Sequence, residues 1–324
     1  MTDGATNDLD SAGVYAAIGN AQAMVEITAP AIARAKALPI WRSDVAPQLL
    51  SGGLSNINLI VDDSGERYVV RIGDDEPHLG VFRANEVRSL RAAHAAGVAA
   101  EVIYDEPGLI VLSYIPGHNL TPDDMHEPDT IVKAAQLIRR LHDEAYKHIE
   151  DSGALFWPFH HNRWYVRQLR ERGAALEEKW RALLPDLVTE NNELEAAIGK
   201  THIVYGHNDI NPQNIIRDEG GRLWFVDLEY AGFGMDLFDM GVLAMNCDLD
   251  STEDRLMLKS YYGAPPNAEL ARRFAAAKAI GALREFLWGI LSQVTERPIE
   301  FDYSVYADMF VERYQRFLAD YRDF

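Results

Sequence analysis

The sequence predicts an α+β fold with a strand-rich N-terminal part and a mostly helical C-terminal part. Short apolar segments separated by Gly- and Pro-containing turns lie between residues 49 and 117, and helical spacing dominates after Pro116. The chain has 324 residues, 48% of them hydrophobic, which is enough for a sizeable core and favours two domains over one. We therefore place the boundary between the two parts near Pro116.

Local patterns predict the N-terminal elements one by one. Residues 9–36 are rich in Ala, Ile and Val, which predicts one or two helices. Residues 49–75 predict three strands separated by a Gly-rich turn and an Asp-Asp-Ser-Gly turn. Residues 79–97 have helical spacing and end at Gly97, a residue typical of helix C-caps. Residues 101–117 predict two short strands around a Glu-Pro-Gly turn.

Charge and cysteine content disfavour several classes of protein. The formal net charge is -19, from 50 acidic and 31 basic residues. The resulting negative electrostatic potential disfavours nucleic-acid binding and is compatible with a cationic substrate. Cys247 is the single cysteine, so an intrachain disulfide or a multi-cysteine metal site is excluded. No signal peptide or membrane-spanning apolar run is evident, so we expect a cytoplasmic protein without a membrane partner. The sequence leaves open whether the chain forms a homodimer.

A β-hairpin is predicted between Asn214 and Asp227, with Asp218-Glu219-Gly220-Gly221 as a four-residue turn. In this register Asn214 lies opposite Phe225, and Asn214 and Asp227 share one face at a backbone separation of roughly 7–8 Å. An amide oxygen and a carboxylate at that separation suit Mg²⁺, which prefers oxygen ligands. The hairpin therefore predicts a metal site, and a register shift of one residue would remove this argument.

Asp209 lies in the polar loop before the hairpin, where a carboxylate can accept a proton from an attacking hydroxyl group. The loop begins with His207-Asn208, and the spacing from Asp209 to Asn214 matches the H-R-D-x-x-x-x-N loop of protein kinases, which precedes a metal-binding Asp. Asp227 occupies that later position. A polar surface loop is the alternative, and the strand before the loop and the hairpin after it favour phosphoryl transfer instead.

Glu86 is predicted to be a buried carboxylate. In the helix at 79–97, Phe82, Glu86, Leu90 and Ala93 share one stripe, so Glu86 is expected on the packed face. A Glu at the edge of this stripe that reaches water is the alternative. A buried carboxylate requires a cationic partner, because an unpaired one costs several kcal/mol or becomes protonated. Arg71, at the end of the strand "RYVVRI", is the predicted partner.

These motifs resemble the aminoglycoside phosphotransferase and choline/ethanolamine kinase superfamily. The segment "VYGHNDINPQNII" resembles the catalytic loop of that family, and "FVDLEYAGFGMDLFDMG" resembles the metal-binding segment of choline kinases. The resemblance covers roughly residues 45 to 310. It implies a protein-kinase-like bilobal fold, with an antiparallel β-sheet N-lobe that carries one key helix and a mostly helical C-lobe. The implied domains are an N-terminal helical extension (1–40), a nucleotide-binding N-lobe (41–116) and a C-lobe with the catalytic loop and substrate pocket (117–324).

The resemblance also implies an ATP- and Mg²⁺-dependent kinase that phosphorylates choline or a related, ethanolamine-like amino alcohol. Its implied catalytic residues are Asp209, Asn214 and Asp227, and its implied metal ligands are Asn214, Asp227 and Glu229. Its implied nucleotide-binding residues are Ser55, Asn56, Arg71, Glu86 and the main-chain groups of Ser113 and Ile115. His207 and Asp239 would fix the catalytic loop.

Aromatic rings and nearby carboxylates hold ammonium groups, so the substrate pocket is expected among aromatic residues of the C-terminal half. The implied substrate residues are Asp209, Asn211, Tyr230, Trp288, Tyr303 and Tyr306. The sequence departs from choline kinases at Leu291, where they often have a second Trp, at Asn246, where they have Glu, and at Asn211, where they often have Gln. Asp248 or Asp250 could replace the missing charge.

Two other functions stay open at this point. One is an aminoglycoside or amino-sugar phosphotransferase of the same fold, which would have an open acidic cleft for a polycation. The other is an inactive, nucleotide-binding module, which the presence of Asp209, Asn214, Asp227 and Arg71 disfavours.

Overall fold

A computed structural model of the protein describes residues 21–50, 56–173, 175–295 and 301–324. Its helices are α1 (Ala21–Lys36), α2 (Arg83–Ala95), α3 (Pro128–Glu144), α4 (Pro158–Glu171), α5 (Glu178–Ile198), α6 (Asp236–Asn246), α7 (Ser251–Tyr262), α8 (Ala268–Val294) and α9 (Tyr303–Arg322). Its strands are β1 (Gln48–Leu49), β2 (Ile57–Asp63), β3 (Glu66–Ile72), β4 (Val102–Glu106), β5 (Leu109–Ser113), β6 (Gly117–Asn119), β7 (Ile203–Gly206), β8 (Ile215–Asp218), β9 (Leu223–Phe225) and β10 (Gly232–Met235).

Strands β1 to β5 form an antiparallel sheet in the order β1-β2-β3-β5-β4. Val61, Val70 and Val111 are fully buried on one face and pack with Leu38, which follows α1, in a small separate core. β-Branched residues suit such a pleated, half-buried surface. Helix α2 lies beside β4 and buries Glu86, Leu90 and Ala93 of the predicted stripe, whereas Phe82, just before the helix, is exposed.

The helical part surrounds the long helix α8. Every residue from Ala276 to Ser292 is buried, and α8 contacts α4, α5, α6 and α9. A helix that is apolar on all sides is typical of a protein interior. The buried charged residues Lys278, Arg284 and Glu285 of α8 therefore require partners inside the protein. Among the described residues, no helix is both long and apolar enough to cross a membrane.

The predicted α+β fold, with its antiparallel sheet followed by a mostly helical part, is confirmed. The predicted helix at 79–97 is α2, and Gly97 follows it with a left-handed φ of 71° and donates its N–H to the carbonyl of His94. The two strands predicted around Glu-Pro-Gly are β4 and β5. Residues 1–20 and 51–55, which include part of the predicted helical extension and most of the Gly-rich turn, lie outside the described residues. The domain boundaries stay predictions.

The hairpin register differs by one residue from the prediction. Ile215 pairs with Phe225, so the turn contains the three residues 219–221. Gly221 adopts a left-handed φ of 78°. The Asp218 carboxylate accepts hydrogen bonds from two main-chain amides of the turn, both at 2.9 Å. A three-residue loop with glycine in the left-handed conformation is a common hairpin type, and the side chain of Asp218 favours it here.

Candidate active site

Asp239 fixes the backbone of the loop that carries Asp209. Its two carboxylate oxygens accept the main-chain N–H groups of His207 and Asn208 at 2.8 and 2.6 Å. His142 Nε2 lies 2.8 Å from the same carboxylate. Gly206, just before the loop, has no room for a side chain, because a Cβ there would lie 2.9 Å from Asp239 Oδ2. These contacts hold the loop in one conformation, as expected of a scaffold residue.

Asp209 lies against a cation that the sequence analysis missed. Arg284 on α8 donates from Nη1 to Asp209 Oδ1 at 2.6 Å. Burial raises the pKa of the Asp209 carboxyl to about 6, with Arg284 opposing the rise and Glu285 adding to it. The Asp209 side chain is still 20% exposed, so a small molecule can reach it. Asp209 is therefore a partly accessible carboxyl group whose pKa lies close to neutral pH.

Asn214 and Asp227 owe their positions to local backbone geometry and not to strand alternation. Asn214 ends a short 3₁₀ helix (Pro212–Asn214), and Asp227 has a φ of 60°, so neither follows the alternation of a strand. The derivation from a shared strand face was therefore wrong. Val226 N donates to Asn214 O at 3.0 Å, which keeps both predicted ligands at the base of the hairpin.

The amide of Asn214 is tethered to the same loop as Asp209. Its Nδ2 donates to the main-chain oxygen of Asp209 at 2.9 Å. Asn211 caps the short helix, because its Oδ1 accepts the N–H of Asn214 at 3.1 Å, and its contact with substrate stays a prediction. The structure thus places Asp209, Asn211 and Asn214 in one hydrogen-bonded unit.

Arg71 joins the N-terminal sheet to the base of the hairpin. The predicted ion pair is present, with Arg71 Nε 2.9 Å from Glu86 Oε1. Arg71 Nη2 also donates to Asp227 Oδ1 at 2.6 Å. Burial alone would raise the pKa of Asp227, but the charge and hydrogen bond of Arg71 hold it below its ordinary value. Asp227 is therefore ionised at neutral pH.

Arg83 is a second buried cation that the sequence analysis missed. Its Nη1 donates to Glu86 Oε2 at 2.6 Å and to Glu229 Oε2 at 2.9 Å. The sequence does indicate this pair, because Arg83 and Glu86 are three residues apart on one helix and are therefore neighbours. One buried carboxylate can pair with Arg83 and Arg71 together. Arg71, Arg83, Glu86, Asp227 and Glu229 thus form one ionic cluster between the two parts of the protein.

Glu229, a predicted metal ligand, is almost fully buried. Burial, together with the negative charges of Asp227 and Glu86, raises its pKa to about 7. Asn56 Nδ2 donates to Glu229 Oε2 at 3.2 Å. A Cβ at Gly73 would lie 2.2 Å from Asn56 Oδ1, so a side chain there would have to displace the Asn56 amide. Glu229 is therefore held by an amide and by Arg83, and its metal-binding role stays a prediction.

Replacing Glu86 with Gln should strongly destabilise the fold. The two buried cations Arg71 and Arg83 would lose a shared carboxylate, and breaking a buried ion pair costs about 3–5 kcal/mol. The free energy of unfolding, measured by urea denaturation, should fall by about 3 kcal/mol or more. The control is Glu193→Gln, which removes an exposed pair with Arg322 and should cost about 1 kcal/mol or less. Equal losses in the two variants would contradict the prediction.

Ser113, at the end of β5, is predicted to bind the nucleotide through its main chain, and its N–H is already used in a hydrogen bond. The main-chain N–H of Ser113 donates to Glu101 O at 2.9 Å, and its hydroxyl accepts the N–H of Glu101 at 3.0 Å. A base contact through the Ser113 N–H would have to replace the first of these bonds. Ile115 follows β5 and stays a predicted main-chain contact. Ser55 lies outside the described residues.

The predicted aromatic residues of the C-terminal half do come together. The ring centre of Trp288 lies 5.9 Å from that of Tyr303 and 5.5 Å from that of Tyr306, both in edge-to-face geometry. Tyr306 OH donates to Glu285 Oε2 at 2.7 Å. Glu285 was missed, although a charged Arg-Glu pair inside the apolar stretch "GALREFLWG" is a sign of paired burial.

Tyr230 packs against the guanidinium of Arg284. The guanidinium carbon is 4.4 Å from the centre of the Tyr230 ring, a cation–π contact. One face of this ring is therefore covered by Arg284.

Neither Asp248 nor Asp250 supplies the missing charge beside these rings. Asp248 pairs with Arg313 at 2.8 Å and also with Arg316. Asp250 caps α7 by accepting two main-chain N–H groups. Among the described residues, Glu285 is a carboxylate in direct contact with this group, through Tyr306.

The residues at the hairpin base fit Mg²⁺. The described residues contain no cluster of three or more His, Cys, Asp or Glu side chains suited to a metal ion. Mg²⁺, however, is commonly bound through one or two carboxylates, with waters and phosphate oxygens completing its shell. Asp227 supplies an ionised carboxylate. Asn214 uses its amide nitrogen for the bond to Asp209 O, so its amide oxygen remains the ligand atom.

Comparison with known proteins identifies similar chains. Residues 47–277 match the model of the phosphotransferase enzyme family. Ethanolamine kinase 1 of Mus musculus is 28% identical over 309 residues, which cover 83% of this chain and 83% of that protein.

Solved structures have the same fold. A choline/ethanolamine kinase family protein from Mesorhizobium loti has a TM-score of 0.69 and 25% identity, over 92% of this chain and 100% of that one. A spectinomycin phosphotransferase in complex with ADP and spectinomycin has a TM-score of 0.60 and 12% identity, over 92% of this chain and 98% of that one. These likenesses confirm the predicted protein-kinase-like fold class.

Proposed function

Because this chain belongs to the phosphotransferase enzyme family, we propose that it is an ATP- and Mg²⁺-dependent kinase of a small amino alcohol related to ethanolamine or choline. The observation that carries this proposal is the set of charged groups around Asp209. Its carboxylate bonds Arg284, which also bonds Glu285, and burial together with the negative charges of Glu285 and Asp227 raises its pKa.

Asp209 acts on the hydroxyl of the substrate in this proposal. Its carboxylate accepts a hydrogen bond from the hydroxyl, orients it and takes its proton during transfer. Asp239 holds the loop, so the carboxylate is positioned before substrate binds. Fixed geometry of this kind lowers the entropic part of the barrier.

The nucleotide lies against the N-terminal sheet in this proposal. Arg71, held by Glu86, contacts its phosphates, and Asn56, which bonds Glu229, is a further predicted contact. Asn214 and Asp227 hold Mg²⁺, with Glu229 as a further predicted ligand. When bound, Mg²⁺ neutralises the negative charge of the phosphates. Arg71 keeps Asp227 ionised and so preserves its affinity for a cation.

The ammonium end of the substrate lies among the aromatic residues. Trp288, Tyr303 and Tyr306 provide rings, and Glu285 provides a negative charge close to them. Quaternary and primary ammonium groups are attracted to aromatic faces by about 0.5–2 kcal/mol each. These three rings are buried and close to one another, which suits a small cation better than a polycationic aminoglycoside.

A substrate panel tests the proposed function. Purified protein with ATP and Mg²⁺ is given amino alcohols, aminoglycosides and amino sugars, and phosphorylated product is measured directly. We expect product with at least one amino alcohol. Product only with an aminoglycoside or an amino sugar would replace the proposed substrate class. Nucleotide binding without any product would instead favour an inactive module.

A further inference from the structure

Arg284 is a buried cation whose hydrogen-bonding groups are only partly used. It is 2% exposed, and its Nη1 donates to both Asp209 and Glu285. Its guanidinium also stacks on Tyr230. Within the described part of the chain, Nε and Nη2 of Arg284 are buried and have no hydrogen-bond partner.

The two unpaired nitrogens of Arg284 have a specific geometry. A buried donor without an acceptor is destabilising, so a bound group that accepts from both nitrogens is favoured. Nε and Nη2 form the edge of a guanidinium that presents two parallel N–H bonds. A carboxylate accepts both bonds at once, through its two oxygens. The unpaired donors therefore fit an oxyanion such as a carboxylate.

The neighbours of Arg284 indicate which molecule would bring this carboxylate. Asp209 accepts the substrate hydroxyl in the proposed function, and Glu285 with Tyr306 and Trp288 lies at the ammonium end. Arg284 bonds both Asp209 and Glu285 through a single nitrogen, so all three groups lie within the reach of one small molecule.

We propose that the amino alcohol phosphorylated by this protein also carries a carboxylate, as a hydroxylated amino acid does, and that Arg284 binds it. This inference rests on the proposed function. The hydroxyl oxygen forms a bond to the γ-phosphorus of ATP, the bond from that phosphorus to the β,γ-bridging oxygen breaks, and ADP leaves. The hydroxyl proton passes to Asp209. Arg284 is a specificity-determining residue in this reaction.

Matched substrate pairs test the inference. Ethanolamine is compared with serine, 3-aminopropan-1-ol with homoserine, and choline with N,N,N-trimethylserine, because the members of each pair differ by one carboxylate. In the wild-type protein at least one carboxylated member should have a kcat/KM about tenfold or more above that of its partner, as expected for a bidentate charged hydrogen bond.

Two variants assign the preference to Arg284. In Arg284→Met the ratio of kcat/KM within the same pair should fall to about one or reverse. The control is Lys278→Met, which also removes a buried cation from α8, one paired with Asp254 at 2.9 Å. In this control the ratio should stay at the wild-type value. Because a ratio is compared, a general loss of activity does not affect the conclusion.

Each outcome decides the inference. Faster turnover of the plain amino alcohols in the wild-type protein overturns it and leaves the proposed function intact. A carboxylate preference that survives in Arg284→Met overturns the assignment to Arg284. Absence of product with every compound, amino alcohols included, overturns the proposed function and the inference with it. If Arg284→Met does not fold, the wild-type pairs still decide whether the carboxylate is preferred.

Discussion

Asp209→Asn should abolish nearly all turnover while the protein stays folded. The amide keeps an oxygen for the hydrogen bond from Arg284 but cannot accept the proton of the substrate hydroxyl. A positioned general base contributes about 10²–10⁴-fold to a rate, so kcat should fall by about a thousandfold or more. Product formation at saturating ATP and substrate measures this loss.

The control for this variant is Asp218→Asn. Asp218 lies at the turn end of the hairpin, away from its base, and an asparagine there keeps a side-chain oxygen that can accept the same main-chain N–H groups. Its replacement should leave kcat within about twofold, since substitutions away from the reacting groups usually have small effects. Nucleotide affinity and the circular dichroism spectrum of Asp209→Asn should match those of the wild type. Retention of most of the activity by Asp209→Asn would refute its assigned role.

Asp227→Asn should be the second most damaging change, through loss of Mg²⁺ binding. The amide retains an acceptor for Arg71 but removes the ionised ligand. A catalytic metal contributes several kcal/mol to the transition state, so activity at low Mg²⁺ should fall by about a hundredfold or more. Titration of activity against Mg²⁺ should show a higher half-saturating concentration in the variant.

Asp62→Asn is the matched control for Asp227→Asn. Asp62 is an exposed carboxylate of β2 that pairs with Arg67 at 3.1 Å, so its loss changes the net charge equally without changing the site. Its Mg²⁺ titration should follow that of the wild type. A wild-type protein that phosphorylates substrate equally well with excess chelator would contradict the metal site as a whole.

Local patterns along the sequence predicted the α+β fold and the loop that carries Asp209. Turn residues separate the strands of the sheet, and helical spacing with a terminal glycine predicts α2. The pair between Arg71 and Glu86 also followed from the sequence, because a carboxylate on a packed helix face needs a cation. Each of these inferences depends on a few neighbouring residues or on a single requirement for charge pairing.

The hairpin register could not be obtained in the same way. Changing the turn from four residues to three shifts the pairing by one residue, which moves each later side chain to the other face of the hairpin. The side chain of Asp218 favours the shorter turn. The positions of Asn214 and Asp227 then depended on a 3₁₀ helix and on a left-handed residue. The sequence pattern contains neither feature.

The sequence by itself determined which part of the chain carries the chemistry, because the spacing of Asp209, Asn214 and Asp227 is local. Only the tertiary structure decided which charges surround them. Arg284 and Glu285 lie some 75 residues after Asp209 along the chain, and Arg284 meets it only because α8 passes beside the loop. Burial raises the pKa of Asp209 and makes a charged partner necessary. Because burial results from the packing of distant segments, the local sequence does not determine it.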